Sequence, residues 1–186
     1  MNLPNKLTLL RVILVPFFVF FLLTDFIPFS KIIALAIFIA ASITDALDGH
    51  IARSRNLITT FGKFLDPLAD KVLVIAALVC FCELGIVGSV PLLIIITREF
   101  MVSGLRLVTA NEGVVVAAGI WGKLKTAFTM VAEVVILLGL CFNFTGNAAE
   151  IANIVYQVLI WIATALTVIS GGVYLKGYWK YIDASK

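Results

Sequence analysis

Long apolar stretches alternate with short polar connections along the whole chain, and we count six of them. Extended through weakly polar flanks, each reaches roughly 18 to 22 residues, enough to cross a hydrocarbon core about 30 Å thick. They cover Leu7–Thr24, Ile32–Ala52, Pro67–Val87, Val90–Leu107, Gly122–Phe142 and Ile154–Leu175. Backbone groups cannot stay unpaired in lipid, and the apolar positions do not alternate strictly, so helices are expected. The pattern predicts an all-α integral membrane protein with six transmembrane helices.

The segment before the first stretch carries polar residues on one side. Pro4 suits the first turn of a helix, and Asn5, Thr8 and Arg11 follow at helical spacing. This predicts a short N-terminal juxtamembrane amphipathic helix that lies along the membrane surface and runs into the first span. No linker or internal repeat interrupts the chain, so we expect residues 1–186 to form one domain.

Composition supports a membrane protein, since 62% of the 186 residues are hydrophobic and only 13% are charged. Basic residues flank the first span and fill alternate connections: Lys6, Arg11, Arg53, Arg55, Lys63, Lys123, Lys125, Lys176, Lys180 and Lys186. In the other connections, Lys31 is the single basic residue. The positive-inside rule therefore places both termini and the second and fourth connections in the cytoplasm. The net charge of +3 reflects this topology, and no nucleic-acid partner is expected.

Four aspartates gather around the second connection. Asp45 and Asp48 lie three residues apart on one helix face, and Asp66 and Asp70 lie four apart at the start of the next span. A short connection makes the two helices antiparallel neighbours, so the four carboxylates are expected to converge. Each aspartate within a span costs about 2.5 to 3.5 kcal/mol, which calls for a counter-charge. Oxygen ligands alone predict Mg²⁺ or Mn²⁺, and two ions would balance four carboxylates.

Small residues accompany these acids. Gly49, Ala52 and Gly62 leave room for a nucleotide diphosphate to approach the backbone. The complete pattern is Asp45-x2-Asp48-Gly49-x2-Ala52-Arg53-x8-Gly62-x3-Asp66-x3-Asp70. It resembles the defining motif of the CDP-alcohol phosphatidyltransferase family, with no departure at any position.

The resemblance implies a six-span membrane enzyme, usually a homodimer, that transfers a phosphatidyl group from a CDP-linked lipid and releases CMP. Asp45, Asp48 and Asp66 would ligate metal, and Asp70 would complete the site and act as general base. The CDP moiety would be held by Asn5, Thr8, Asp45, Gly49, Ala52, Arg53 and Gly62. The expected step is an in-line displacement, in which the acceptor oxygen attacks the β-phosphorus.

Other segments bear on the acceptor alcohol. The segments 4–11, 98–100, 103–106 and 122–126 are similar to those of bacterial family members that use sn-glycerol 3-phosphate, which implies phosphatidylglycerol phosphate as product. A dianionic acceptor needs cations, and Arg106, Lys123 and Lys125 are expected at the cytoplasmic face. In the alternative interpretation, Lys123 and Lys125 only set the membrane topology and do not bind the acceptor. Acceptors such as phosphatidylglycerol, serine or an inositol compound stay open, and a cation-coupled transporter is a distant alternative.

Three ionisable residues interrupt apolar spans. Arg98 and Glu99 lie within the fourth span and Glu133 lies within the fifth. Such groups are normally paired or face a cavity, and adjacent helical residues do not face each other. We therefore expect structural pairing with other helices, with Glu133 as the partner of Arg98.

Overall fold

The structure is a computed structural model. It describes the backbone of residues 3–54, 60–111, 119–142 and 144–179. Within those ranges, the side chains of residues 3, 4, 46–54, 60–67, 70, 110 and 111 lie outside the described set.

The described residues form six α-helices and no strand. They are α1 (Leu3–Leu23), α2 (Ser30–Ser54), α3 (Thr60–Glu83), α4 (Ser89–Asn111), α5 (Ile120–Leu140) and α6 (Asn147–Tyr178). Each helix coincides with one apolar stretch of the sequence, which confirms the all-α fold. Most helices extend beyond the apolar stretch, because hydrogen bonding continues along the backbone after the side chains become polar.

The helices pack into a bundle in which α1 lies against α2 and α3, and α5 lies against α6 and α2. The fourth helix contacts α6 and α3. Large apolar side chains fill the centre, and the ring centroids of Phe18 and Phe38 lie 5.6 Å apart between α1 and α2. Large apolar residues also cover the outside, among them Phe17 and Trp161. A surface of this kind suits a lipid environment better than water.

Two of the helices are long and apolar enough to cross a membrane by length and composition alone, over Asn5–Leu23 and Asn147–Tyr178 in the described part of the chain. The other helices carry more charged or weakly apolar residues, including Arg98 and Glu99 in α4. The all-helical fold agrees with an integral membrane protein.

The first helix departs from the prediction. α1 runs without a break from Leu3 to Leu23, as expected for a segment that continues into the first span, but the exposure of its polar residues differs. Asn5, Thr8 and Arg11 are buried, whereas a helix along the membrane surface would expose them. A polar stripe has the same sequence pattern whether it faces lipid headgroups or another helix. Here it faces the bundle, because Arg11 contacts α2.

α5 and α6 approach closely at Gly139. A Cβ atom added there would lie 1.7 Å from Tyr156 Oη and 2.7 Å from Tyr156 Cζ. The missing side chain therefore makes room for the tyrosine of the neighbouring helix, as small residues do in membrane helix packing.

Candidate active site

Asp45 is the one motif aspartate with a described side chain, and it is paired with Arg11. Arg11 Nη1 lies 2.5 Å from Asp45 Oδ1, and Arg11 is only 2% exposed. Arg11 thus supplies a positive charge from α1 to the acidic face of α2. A charge-assisted contact of this kind fixes the aspartate rotamer, because guanidinium and carboxylate groups bond in defined directions.

The other motif residues lie on the two expected helices. Asp48, Gly49, Ala52 and Arg53 belong to α2, and Gly62, Asp66 and Asp70 belong to α3. α2 and α3 contact each other, as a short connection requires. The side chains of Asp48, Asp66 and Asp70 lie outside the described residues, so their convergence stays a prediction. Among the side chains that are described, no three His, Cys, Asp or Glu residues cluster as metal ligands.

A cavity of about 520 Å³ lies between α3, α4, α5 and α6. Among its described lining residues, the basic ones are Lys71, Arg98, Arg106, Lys123 and Lys125, and the acidic one is Glu99. This volume is in the usual range for a small-molecule site. The excess of positive charge makes the cavity suited to an anion, since like charges are brought together there without enough local acids to balance them.

Glu99 holds two of these cations through a single oxygen. Its Oε1 lies 2.8 Å from Arg98 Nη1 and 2.6 Å from Lys125 Nζ. Arg98 Nη2 also donates to Ser170 Oγ at 2.6 Å, which ties α4 to α6. Glu99 and Lys125 join α4 to α5. The three charges therefore form a fixed network in the wall of the cavity.

Tyr174 of α6 stands between two arginines. The guanidinium carbons of Arg98 and Arg106 lie 5.6 and 5.7 Å from its ring centroid, within cation–π range. Its hydroxyl accepts hydrogen bonds from Arg106 Nη2 at 3.1 Å and from the Gly119 backbone N–H at 3.2 Å. Tyr174 therefore orients both arginines, and Gly122 beside it leaves room for the ring.

Lys71 connects the cavity with the acidic motif. It follows Asp70 directly in α3, lines the cavity and donates a hydrogen bond to Ser103 Oγ of α4. Ser103 in turn donates to the Glu99 carbonyl oxygen at 2.7 Å. The helix that carries Asp66 and Asp70 thus forms one wall of the cationic cavity.

The structure brings together the three cations that the sequence analysis assigned to the acceptor. Arg106, Lys123 and Lys125 all line the cavity. Arg106 and Lys123 are exposed, whereas Lys125 is 3% exposed and paired with Glu99. Their expected location at the cytoplasmic face stays a prediction.

The predicted pairing of Arg98 with Glu133 is also wrong. Arg98 bonds its own neighbour Glu99, because a long guanidinium side chain can bend back where short side chains cannot. Glu133 is fully buried, and neither of its oxygens has a hydrogen-bond partner among the residues that the structure describes.

Several residues of this site were not identified from the sequence. Arg11 was assigned to a membrane-surface helix, and Lys71, Ser103, Ser170 and Tyr174 were not assigned to the site. Lys71 alone carried a usable signal, since it is a cation directly after a motif aspartate. Serine and tyrosine near helix ends are too common to stand out.

Comparisons with known proteins agree with this architecture. The chain matches the family model for CDP-alcohol phosphatidyltransferase over residues 1–169. It is 41% identical to the CDP-diacylglycerol--glycerol-3-phosphate 3-phosphatidyltransferase of Bacillus subtilis, over 99% of this chain and 98% of the relative. Relatives with the same name from Rickettsia bellii and Haemophilus influenzae are 40% and 42% identical, over 97% and 94% of this chain and 97% and 92% of their own lengths.

The all-helical bundle places a cationic cavity beside α2 and α3, the two helices that carry the motif aspartates. This arrangement suits a membrane enzyme that acts on anionic substrates. More specifically, the chain belongs to the CDP-alcohol phosphatidyltransferase family. This makes it a membrane protein, and the family is in general dependent on divalent metal ions.

Proposed function

We propose that the protein transfers the phosphatidyl group of CDP-diacylglycerol to sn-glycerol 3-phosphate, giving phosphatidylglycerol phosphate and CMP in phospholipid biosynthesis. The observation that carries the proposal is the cavity with five basic lining residues and one glutamate among the residues described. A phosphate dianion needs several cations, and Arg106 and Lys123 are exposed to receive it. The donor and acceptor also appear in the names of the full-length relatives.

The proposed base belongs to α3. Asp70 takes the proton from the acceptor hydroxyl, and that oxygen attacks the β-phosphorus of the donor while CMP leaves. Support comes from Lys71, which is adjacent to Asp70 in the sequence and lines the cavity. An acceptor whose phosphate is bound in the cavity would thus hold its hydroxyl close to the helix of the base.

The donor site lies at the junction of α1, α2 and α3. We assign the CDP moiety to Asn5, Thr8, Asp45, Gly49, Ala52, Arg53 and Gly62. Asn5 and Thr8 are buried on α1, and Thr8 shares a face with Arg11 because it precedes Arg11 by three residues. Arg11 contacts Asp45, so this polar face is directed toward the motif helix. That arrangement supports a donor site with contributions from all three helices.

The metal ligands in this proposal are Asp45, Asp48, Asp66 and Asp70, with Mg²⁺ or Mn²⁺ and two ions. The donor set fits, since carboxylate oxygens on two contacting helices are what these hard cations prefer. When bound, the ions would neutralise charge on the diphosphate. Arg11 reduces the negative charge around Asp45 and restrains its carboxylate.

In the membrane, the six helices of the described ranges would form six spans of one domain covering residues 1–186. The alternation of basic connections supports a cell-membrane location with both termini and the site on the cytoplasmic side. We propose a homodimer on the resemblance to the family.

The test is an acceptor panel with purified protein in detergent. CDP-diacylglycerol is offered with glycerol 3-phosphate, phosphatidylglycerol, serine or an inositol compound, and CMP release is measured. Release with glycerol 3-phosphate, lost on chelation and in Asp66→Asn and Asp70→Asn, is expected. CMP release at the same rate with and without glycerol 3-phosphate would refute the acceptor assignment.

The cavity is tested with Arg106→Met. Loss of a charge-assisted phosphate contact should raise the KM for glycerol 3-phosphate by about 10- to 100-fold, with the KM for the lipid donor unchanged. Lys176→Met is the matched control. Lys176 is an exposed cation two residues after Tyr174 in α6, and it is not among the residues that line the cavity. Equal behaviour of the two variants would count against the cavity as the acceptor site.

A further inference from the structure

Glu99 is an acid in a cavity that otherwise selects anions. Its side chain is 12% exposed, and among the described lining residues it is the one carboxylate beside five cations. Glu99 holds Arg98 and Lys125 in place, but its charge also repels a bound anion. Holding the cations occupies only one of its two oxygens, which leaves the other available for a second role.

The two oxygens of Glu99 differ in their contacts. Oε1 accepts from Arg98 at 2.8 Å and from Lys125 at 2.6 Å. Oε2 makes no hydrogen bond with any part of the chain that the structure describes. Because Oε1 is held from two sides, the carboxylate is fixed in position, and Oε2 keeps its capacity to accept a hydrogen bond from a bound molecule.

Glu99 and Arg106 lie on the same side of α4. They are seven residues apart, which is two helical turns and about 10 Å along the axis. A three-carbon phosphate ester bridges such a separation once a bond at each end is added. A phosphate at Arg106 would thus leave the carbon chain directed along the cavity toward Glu99.

We infer that Glu99 is a specificity-determining residue that accepts a hydrogen bond from the secondary hydroxyl of the acceptor. The same charge rejects phosphate esters that carry a second anionic group in that place. This inference rests on the proposed function. It defines the acceptor class as polyol phosphates, with an uncharged hydroxylated end opposite the phosphate, and it leaves the primary hydroxyl for attack.

The experiment compares glycerol 3-phosphate with 3-hydroxypropyl phosphate, which keeps the primary hydroxyl and lacks the secondary one. The wild-type protein should prefer glycerol 3-phosphate by about 10- to 100-fold in kcat/KM, the usual effect of a hydrogen bond to a charged group. In Glu99→Gln the amide oxygen still accepts a bond without the charge, so the preference should fall to about 2- to 10-fold.

A second measurement uses 3-phosphoglycerate, a phosphate ester with a carboxylate, as inhibitor. Glu99→Gln should strengthen its inhibition by about tenfold or more, because like-charge repulsion is removed. Glu150→Gln is the control, since Glu150 is exposed in the first turn of α6 and is not among the cavity residues. It should leave both ratios at the wild-type values.

The outcomes distinguish a failure of the inference about Glu99 from a failure of the proposed function. Equal use of both acceptors by the wild-type protein would overturn the inference, and this arm does not depend on any variant folding. An unchanged preference in folded Glu99→Gln would overturn it as well, because a purely structural role would alter both acceptors alike. CMP release with neither acceptor would overturn the proposed function and the inference together.

Discussion

Gly139 offers a quantitative test of the bundle, because its missing side chain makes room for Tyr156. In Gly139→Ala the new Cβ would lie 1.7 Å from Tyr156 Oη, whereas ordinary contact begins near about 3.5 Å. The tyrosine must withdraw by about 2 Å or the two helices must separate. Overpacking of this kind costs about 1 to 3 kcal/mol, more than the helix propensity that alanine contributes.

The assay is thermal unfolding of the protein in detergent at one scan rate. For a chain of this size, about 1 kcal/mol corresponds to about 2 to 4 °C, so Gly139→Ala should lower Tm by about 2 to 12 °C. Gly172→Ala is the control, since a Cβ at this exposed position of α6 meets no atom within 4 Å. It should leave Tm unchanged or slightly raised.

A double-mutant cycle tests the mechanism. Tyr156→Phe removes the oxygen at 1.7 Å but keeps the ring carbon at 2.7 Å, so it should relieve part of the Gly139→Ala penalty. Close contact between Gly139 and Tyr156 would be refuted if Gly139→Ala had the same Tm as Gly172→Ala, or if the effects of Gly139→Ala and Tyr156→Phe were strictly additive.

Three further predictions concern the site and its surroundings. Gly122→Ala places a Cβ 3.3 Å from Tyr174 Cε2, so the ring must shift slightly; the KM for glycerol 3-phosphate should rise with little change in Tm, and an unaltered KM would contradict this. Glu133→Met removes a fully buried carboxyl without a described partner, and Tm should rise by an amount worth about 1 to 3 kcal/mol; a fall would reveal a partner elsewhere. Arg11→Met leaves Asp45 without its guanidinium, and both Tm and CMP release should fall more than in Arg11→Lys; equal losses in both variants would argue against a charge effect.

The sequence was sufficient for the helices because backbone pairing in lipid permits little else. It was insufficient for their ends. α3 begins at Thr60, seven residues before the predicted start at Pro67, because a helix continues into water where hydropathy gives no signal. Arg11 on the buried face of α1 was assigned to the membrane surface for a related reason, since spacing identifies a polar face and not its partner.

The candidate site divides in the same way. The acidic motif could be proposed from the sequence because fixed spacings within one or two helices are visible there, and its convergence stays a prediction. Arg106 was assigned from its segment and its charge, and it does line the cavity. The bond between Arg106 and Tyr174 spans 68 residues, and the bond between Arg98 and Ser170 spans 72. Contacts that distant depend on how whole helices pack, and a single sequence does not record packing.

The length of α6 has a consequence for how the two substrates arrive. Its 32 residues are about 48 Å long, well beyond a hydrocarbon core of about 30 Å. A span of about 20 residues that starts at Ile154 ends at Tyr174. In the proposed orientation the tyrosine stands at the boundary between acyl chains and headgroups, so a water-soluble acceptor meets it from the aqueous phase while a lipid donor diffuses in sideways. Neither has to leave its own medium to reach the other.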